Sequence, residues 1–102
     1  VASDAAEAKA LHLVFGEKPP PVSAIKGALG HSMGAAGAVE AVIAILAITR
    51  NSLPPTANLR EPDPDCALDV VNSARDAPEL RRALNCAYGF GGLNSALLLE
   101  AL

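Results

Sequence analysis

The most sharply patterned stretch of the chain is an apolar run over residues 32–48. Between Ser32 and Ile48 it carries one charge, Glu40, and no broad polar face. A surface helix shows an apolar stripe opposite a polar side, whereas a helix apolar all round lies in a core or a membrane. The run after Glu40 is eight residues long, short of the roughly 20 that span a bilayer. The pattern therefore predicts a core helix that ends near Thr49 and Arg50. Upstream, Leu11, Val14 and Phe15 share one face of a predicted first helix over residues 5–16. Ser3 or Asp4 can cap its amides, and Gly16 suits the left-handed position at its end. His12 falls off the apolar face and is expected to be solvent-exposed. Pro19, Pro20 and Pro21 cannot extend a helix. Short apolar runs predict strands at 22–26, 67–71, 83–88 and 95–100, the last two forming a hairpin around the glycine-rich segment 89–94. Residues 51–65 are broken by proline, and the length of this loop predicts that it wraps a scaffold or partner. Residues 72–79 read as turn-like.

Composition narrows the class. A chain of 102 residues makes one domain at most. It is 51% hydrophobic but 3% aromatic, with no Trp, so its core must be built of Ala, Val, Ile and Leu. A helix this dry needs partners on several sides, and a small chain supplies few; with a start at Val1 and no signal peptide, we expect a piece of a larger protein. The net charge of −3 and the absence of a basic cluster argue against a nucleic-acid surface. Cys66 and Cys86 are too few for a disulfide framework or a zinc site and suit a reducing cytosol. His12 and His31 stand apart from each other and from the cysteines, so no metal is expected, and nothing points to a cofactor.

Candidate chemistry gathers at the start of the apolar helix. The predicted strand delivers Lys26 and, after a glycine-containing turn, His31, a common place for chemistry in α/β folds. Free amides at a helix start favour nearby negative charge, and an imidazole held there can donate to a developing oxyanion. The residues alone leave a second reading open, in which His31 is a cap and Lys26 is solvated. Lys26 beside an apolar helix needs a partner. Glu40, about two turns along, is the candidate, in either a structural or a functional pair. Gly89-Phe90-Gly91-Gly92 lacks the spacing and the following helix of a dinucleotide fingerprint. It reads either as a mobile turn that swings Phe90 or as a tight turn around a core ring.

Three motifs carry a resemblance: Lys26-x-x-x-Gly30-His31-x-x-Gly34-Ala35-Ala36-Gly37; Pro54-Pro55-Thr56-x-Asn58-Leu59-x-x-Pro62-Asp63; and Gly89-Phe90-Gly91-Gly92-x-Asn94. In this order, over essentially all 102 residues, they resemble the β-ketoacyl-[acyl-carrier-protein] synthases, most of all the elongating type I and II enzymes. The resemblance implies an α/β chain, the C-terminal part of a thiolase-like fold with a mixed sheet and a buried central helix. Residues 1–102 would be the C-terminal portion, beginning just after the family's His-Gly-Thr segment. The whole enzyme would be an acyltransferase that condenses an enzyme-bound acyl group with malonyl-carrier protein in fatty-acid or polyketide synthesis. By the same resemblance His31 is the active-site histidine of malonyl decarboxylation, Lys26 the active-site lysine, Glu40 its ion-pair partner and Phe90 the gate of the acyl pocket. Gly89, Gly91 and Gly92 form its flexible turn. The nucleophilic cysteine and first histidine have no match here and are expected before Val1, so the chain alone is expected to be inactive. Implied partners are acyl carrier protein, the missing N-terminal part and a second subunit in a cytoplasmic homodimer, with no nucleic acid, membrane or cofactor.

The sequence departs from the family at Ala24, Ile25 and Gly27, where Ser or Thr is usual, and at Leu29, commonly Thr. Cys86, Ala87 and Tyr88 stand in place of Asn-Ser-Phe. A chain-length-factor-like subunit without the nucleophile is the main alternative. A thiolase using Cys86 as acid/base is disfavoured by Lys26 and by the Pro-Pro-Thr loop.

Overall fold

The computed structural model describes residues 2–102. Helix α1 runs Ala2–Phe15, a four-residue helix α2 runs Lys26–Leu29, and α3 runs Ala36–Arg50 after a 3-10 turn at Met33–Ala35. Two short strands, β1 (Ser52–Leu53) and β2 (Arg75–Asp76), pair antiparallel. The longer β3 (Arg82–Tyr88) and β4 (Asn94–Glu100) form a second antiparallel pair.

The hairpin follows from its sequence. Runs carrying Leu84 and Tyr88 on one side and Leu97, Leu98 and Leu99 on the other flank a glycine turn, and the register Arg82↔Glu100 to Tyr88↔Asn94 holds without a bulge. Its open end is tied by Arg82 and Glu100, with Nε to Oε1 at 2.9 Å. At the turn, the Gly89 amide donates to the Leu93 carbonyl at 2.7 Å, while Gly91 and Gly92 take φ of 77° and 78°. Side chains cannot readily adopt that geometry. Helix α3 lies on β3, where Asn85 Nδ2 donates to the Gly37 carbonyl at 3.0 Å. Asn51, left-handed at φ 49°, closes α3 by donating to the carbonyls of Ala47 and Ile48.

Several sequence expectations are corrected. Residues 22–26 form no strand: Val22 makes one isolated parallel bridge to Val70, and Lys26 opens a helical turn instead. Residues 67–71 likewise contribute only this bridge, yet the segment ends on a core residue, Val71. The Val71 amide donates to the Val22 carbonyl at 2.9 Å, the Thr56 amide donates to the Val71 carbonyl at 2.7 Å, and the Val71 side chain is fully buried. β1 and β2 are too short and too polar to show as an alternating pattern. Ser3 and Asp4 lie within α1 rather than capping it, whereas Gly16 takes the expected left-handed geometry at φ 80°. His12 is half-buried, not solvent-exposed; its ring nitrogens lie 3.0 Å from the Gly16 carbonyl and 2.8 Å from that of Ala67. The loop after α3 wraps the segment before α2, as its length suggests: Ser23 Oγ donates to the Pro54 carbonyl at 2.6 Å, and Thr56 Oγ1 accepts the Ala24 amide at 3.1 Å.

The helix α3 is apolar all round, but none of its residues is buried. The hairpin covers one side only. Val42, Ile45 and Leu46 are exposed on the helix, and Leu84, Leu97 and Leu98 on the hairpin. The described sheet pairs are antiparallel, with one parallel bridge in place of a mixed sheet. Apolar area left bare on this scale drives association. Purified alone, the chain is expected to elute from a sizing column well above its 10.4 kDa mass; a monodisperse monomer that melts cooperatively would contradict this.

Candidate active site

The turn Ile25–Gly30 sets the site. The amides of Ala28 and Leu29 both donate to the Ile25 carbonyl at 3.0 Å, and the Gly30 amide donates to the Lys26 carbonyl at 2.8 Å. Gly30, at φ 75°, then turns the chain so that His31 follows at once. Lys26 reaches across to α3 and forms an ion pair with Glu40, Nζ to Oε1. The carboxylate side chain is 14% exposed and the lysine 47%. Burying one end of the pair without the other would leave an uncompensated charge, so the two hold each other in place.

His31 is exposed, and its Nδ1 accepts the Met33 amide at 3.0 Å. A backbone amide can only donate. Nδ1 therefore carries the lone pair and the ring proton sits on Nε2, where it is available to an acceptor. Met33 adopts φ 51°, an uncommon geometry for a side-chain-bearing residue. Phe90 is 94% exposed at the tip of the hairpin turn, so it is not a core ring. Lys26, His31, Glu40, Gly89 and Phe90 all line one cavity of about 960 Å³ between α1, α3 and the hairpin. Gly91 and Gly92 do not line it; they shape the turn behind Phe90.

Two residues given no role in the expected site also line this cavity: Glu7 of α1 and Tyr88 at the end of β3. Burial first, then the Asp4 carboxylate, push the Glu7 carboxyl above its usual range, against the pull of the Lys26 ammonium and of hydrogen bonding to Tyr88. Burial, followed by the Glu7 carboxylate, pushes the Tyr88 phenol up to about 12. Glu7, an acidic residue between alanines in α1, carried no signal in the sequence. Tyr88 carried one: a hydroxyl where the resemblance has Phe. Among the described residues no group of three or more His, Cys, Asp or Glu could hold a metal ion, and both cysteines are free.

Residues 1–60 match the family described as beta-ketoacyl synthase, C-terminal domain. The chain belongs to this family. It is similar to 3-oxoacyl-[acyl-carrier-protein] synthase 2 of Mycobacterium leprae, 47% identical over 94 residues, which cover 92% of this chain and 22% of the relative. The same-named synthase of Coxiella burnetii is 45% identical over 102 aligned positions, covering 97% of this chain and 24% of the relative. Among solved structures, one described as the ishigamide ketosynthase/chain length factor superposes with a TM-score of 0.94 at 46% identity, over 99% of this chain and 25% of that one. A type II polyketide ketosynthase solved in complex with its acyl-carrier protein gives 0.88 at 35%, over 94% of this chain and 24% of that one. The fold is therefore that of the thiolase-like ketosynthases, and this chain spans between a fifth and a quarter of its synthase relatives.

Tyr88 is the only tyrosine and the chain has no Trp. We take as the test protein a synthase in which this chain replaces the matching C-terminal part of the Mycobacterium leprae relative. The phenolate absorbance lost on Tyr88→Phe should titrate in it with a midpoint at about 12. A raised folded-state value means that the folded form keeps the proton longer. The contribution to stability is thus complete below pH 10, the phenol's usual value, and is lost as pH rises through about 12. A midpoint at the usual value would show that neither burial nor the Glu7 carboxylate acts on the phenol.

Proposed function

We propose that this chain is the C-terminal portion of a β-ketoacyl-[acyl-carrier-protein] synthase and supplies the malonyl half of its active site. The observation that carries the reading is the Met33 amide on His31 Nδ1. It leaves an Nε2–H donor in the cavity that also holds the Lys26–Glu40 pair. In the whole enzyme, a cysteine outside this chain holds the acyl group as a thioester. The malonyl thioester loses carbon dioxide, and the electron pair of the broken carbon–carbon bond becomes a thioester enolate. Its carbon attacks the acyl carbonyl, the cysteine thiolate leaves, and a 3-oxoacyl thioester remains on the carrier protein.

His31 Nε2–H donates to the enolate oxygen as charge develops there, and the Lys26 ammonium, anchored by Glu40, adds positive potential beside it. Donors preorganised for the transition state lower the barrier because they need not reorganise as the charge forms. Phe90 gates the acyl pocket, with Gly89, Gly91 and Gly92 as its hinge. The partners of this reading are acyl carrier protein, the N-terminal part of the same enzyme and a second identical subunit, in the cytoplasm. A chain-length-factor-like subunit is the second reading, kept because one structural relative is described by both names; the His31 donor and the Lys26–Glu40 pair favour the catalytic subunit.

The stretch Met33–Arg50 has the length and composition to cross a membrane, with a mean hydropathy of 1.6 over 18 residues. A core helix passes the same test. The Asn85 bond to Gly37 and the Lys26 bond to Glu40 both attach polar partners to it, which supports a core helix completed by the rest of the synthase.

In the joined synthase, His31→Ala should slow malonyl decarboxylation by about a hundredfold or more, the scale of losing one oxyanion donor. Near-normal release of carbon dioxide would remove His31 from the mechanism. Phe90→Ala should alter acyl loading more than decarboxylation; equal effects on both would refute the gate.

A further inference from the structure

The loop after β1 does more than cover a scaffold. It grips the turn that presents Lys26. Asn58 Nδ2 donates to the Gly27 carbonyl at 2.9 Å. This carbonyl lies in a helix of four residues, too short to satisfy its own terminal acceptors. The same approach fills the space beside Gly27: a Cβ placed there would lie 2.4 Å from the Ala57 carbonyl oxygen. Glycine at 27, where the resemblance has a hydroxyl residue, therefore admits the loop backbone into the side-chain position. Asn58 itself holds φ 68°, a left-handed geometry that asparagine tolerates better than most residues. The other ties of the loop, at Ser23 and Ala24, lie upstream of the turn. Those at Gly27 alone adjoin Lys26.

We propose that Asn58 is a positioning residue for the decarboxylation step: its side chain clamps the Gly27 carbonyl and so fixes the turn from which Lys26 reaches Glu40 and from which Gly30 launches His31. The Asn58 side chain bonds to backbone, at the Gly27 carbonyl, and so acts through the turn. Gly27 and Asn58 then work as one contact, and disturbing either loosens the same turn. The inference rests on the decarboxylation role given above for Lys26 and His31.

The test separates the side-chain bond from the backbone geometry in the joined synthase. Asn58→Gly keeps the left-handed geometry and removes the clamp. Asn58→Asp keeps the size and removes the donor. Each should slow malonyl decarboxylation about tenfold, the rate equivalent of one ordinary hydrogen bond. Acyl transfer to the cysteine should stay at the parent rate, a split that a general loss of folding does not produce. Gly27→Ala should give the same split. The double variant Gly27→Ala/Asn58→Gly should lose no more than the worse single variant, because residues sharing one contact are not additive. Unchanged decarboxylation in both Asn58 variants, equal losses in the two half-reactions, or multiplied losses in the double variant would each overturn the clamp. His31→Ala serves as the control. If it decarboxylates normally, the site assignment has failed; if it is crippled while the Asn58 variants are not, the clamp alone has failed.

Discussion

The ion pair of Lys26 and Glu40 is the direct side-chain tie between the turn before His31 and helix α3. Lys26 opens a single helical turn, and Glu40 projects from a helix otherwise without charge between residues 36 and 49. A carboxylate mostly withdrawn from water is costly unless it is paired, and Glu40 finds that pairing in Lys26. The pair therefore fixes the turn against the helix. From that turn follow the placement of Gly30, the direction of His31 and the approach of the loop at Ala57 and Asn58. A site made of small contributions from three segments depends on this one constraint to stay assembled.

Packing explains why the site stands at a boundary. Helix α3 offers apolar residues on every side, and the hairpin covers one of them. Ala8 and Val71 are the buried hydrophobic residues among those described. The cavity is walled by α1, α3 and the hairpin and opens outward, where Phe90 stands free. Helix and hairpin thus leave much of their apolar surface bare, and the chain spans about a quarter of each structural relative.

Much of this was legible in the sequence, for identifiable reasons. The helix of residues 36–50 and the hairpin are long, strongly patterned and local, and both form as the pattern predicts. The Lys26–Glu40 pair could be read because a charge in an apolar run demands a partner. What could not be read is non-local. Residues 22–26 and 67–71 look like strands, but their amides and carbonyls are taken by one another and by Thr56, leaving a single bridge. β1 and β2 are two residues each and carry no period. His12 is bound by a carbonyl 55 residues away. The Asn58–Gly27 contact spans 31 residues and shows in sequence only as an unexplained glycine beside the lysine. Tyr88 and Glu7 meet because the end of β3 comes against α1, which no local pattern encodes.

We propose these residues as the malonyl half of a condensing site. The most direct measurement is to supply the joined synthase with acyl- and malonyl-carrier protein and follow 3-oxoacyl product and carbon dioxide together. Both should form, in equal amounts. A folded protein that takes the acyl group onto its cysteine yet releases no carbon dioxide from malonyl-carrier protein would contradict it.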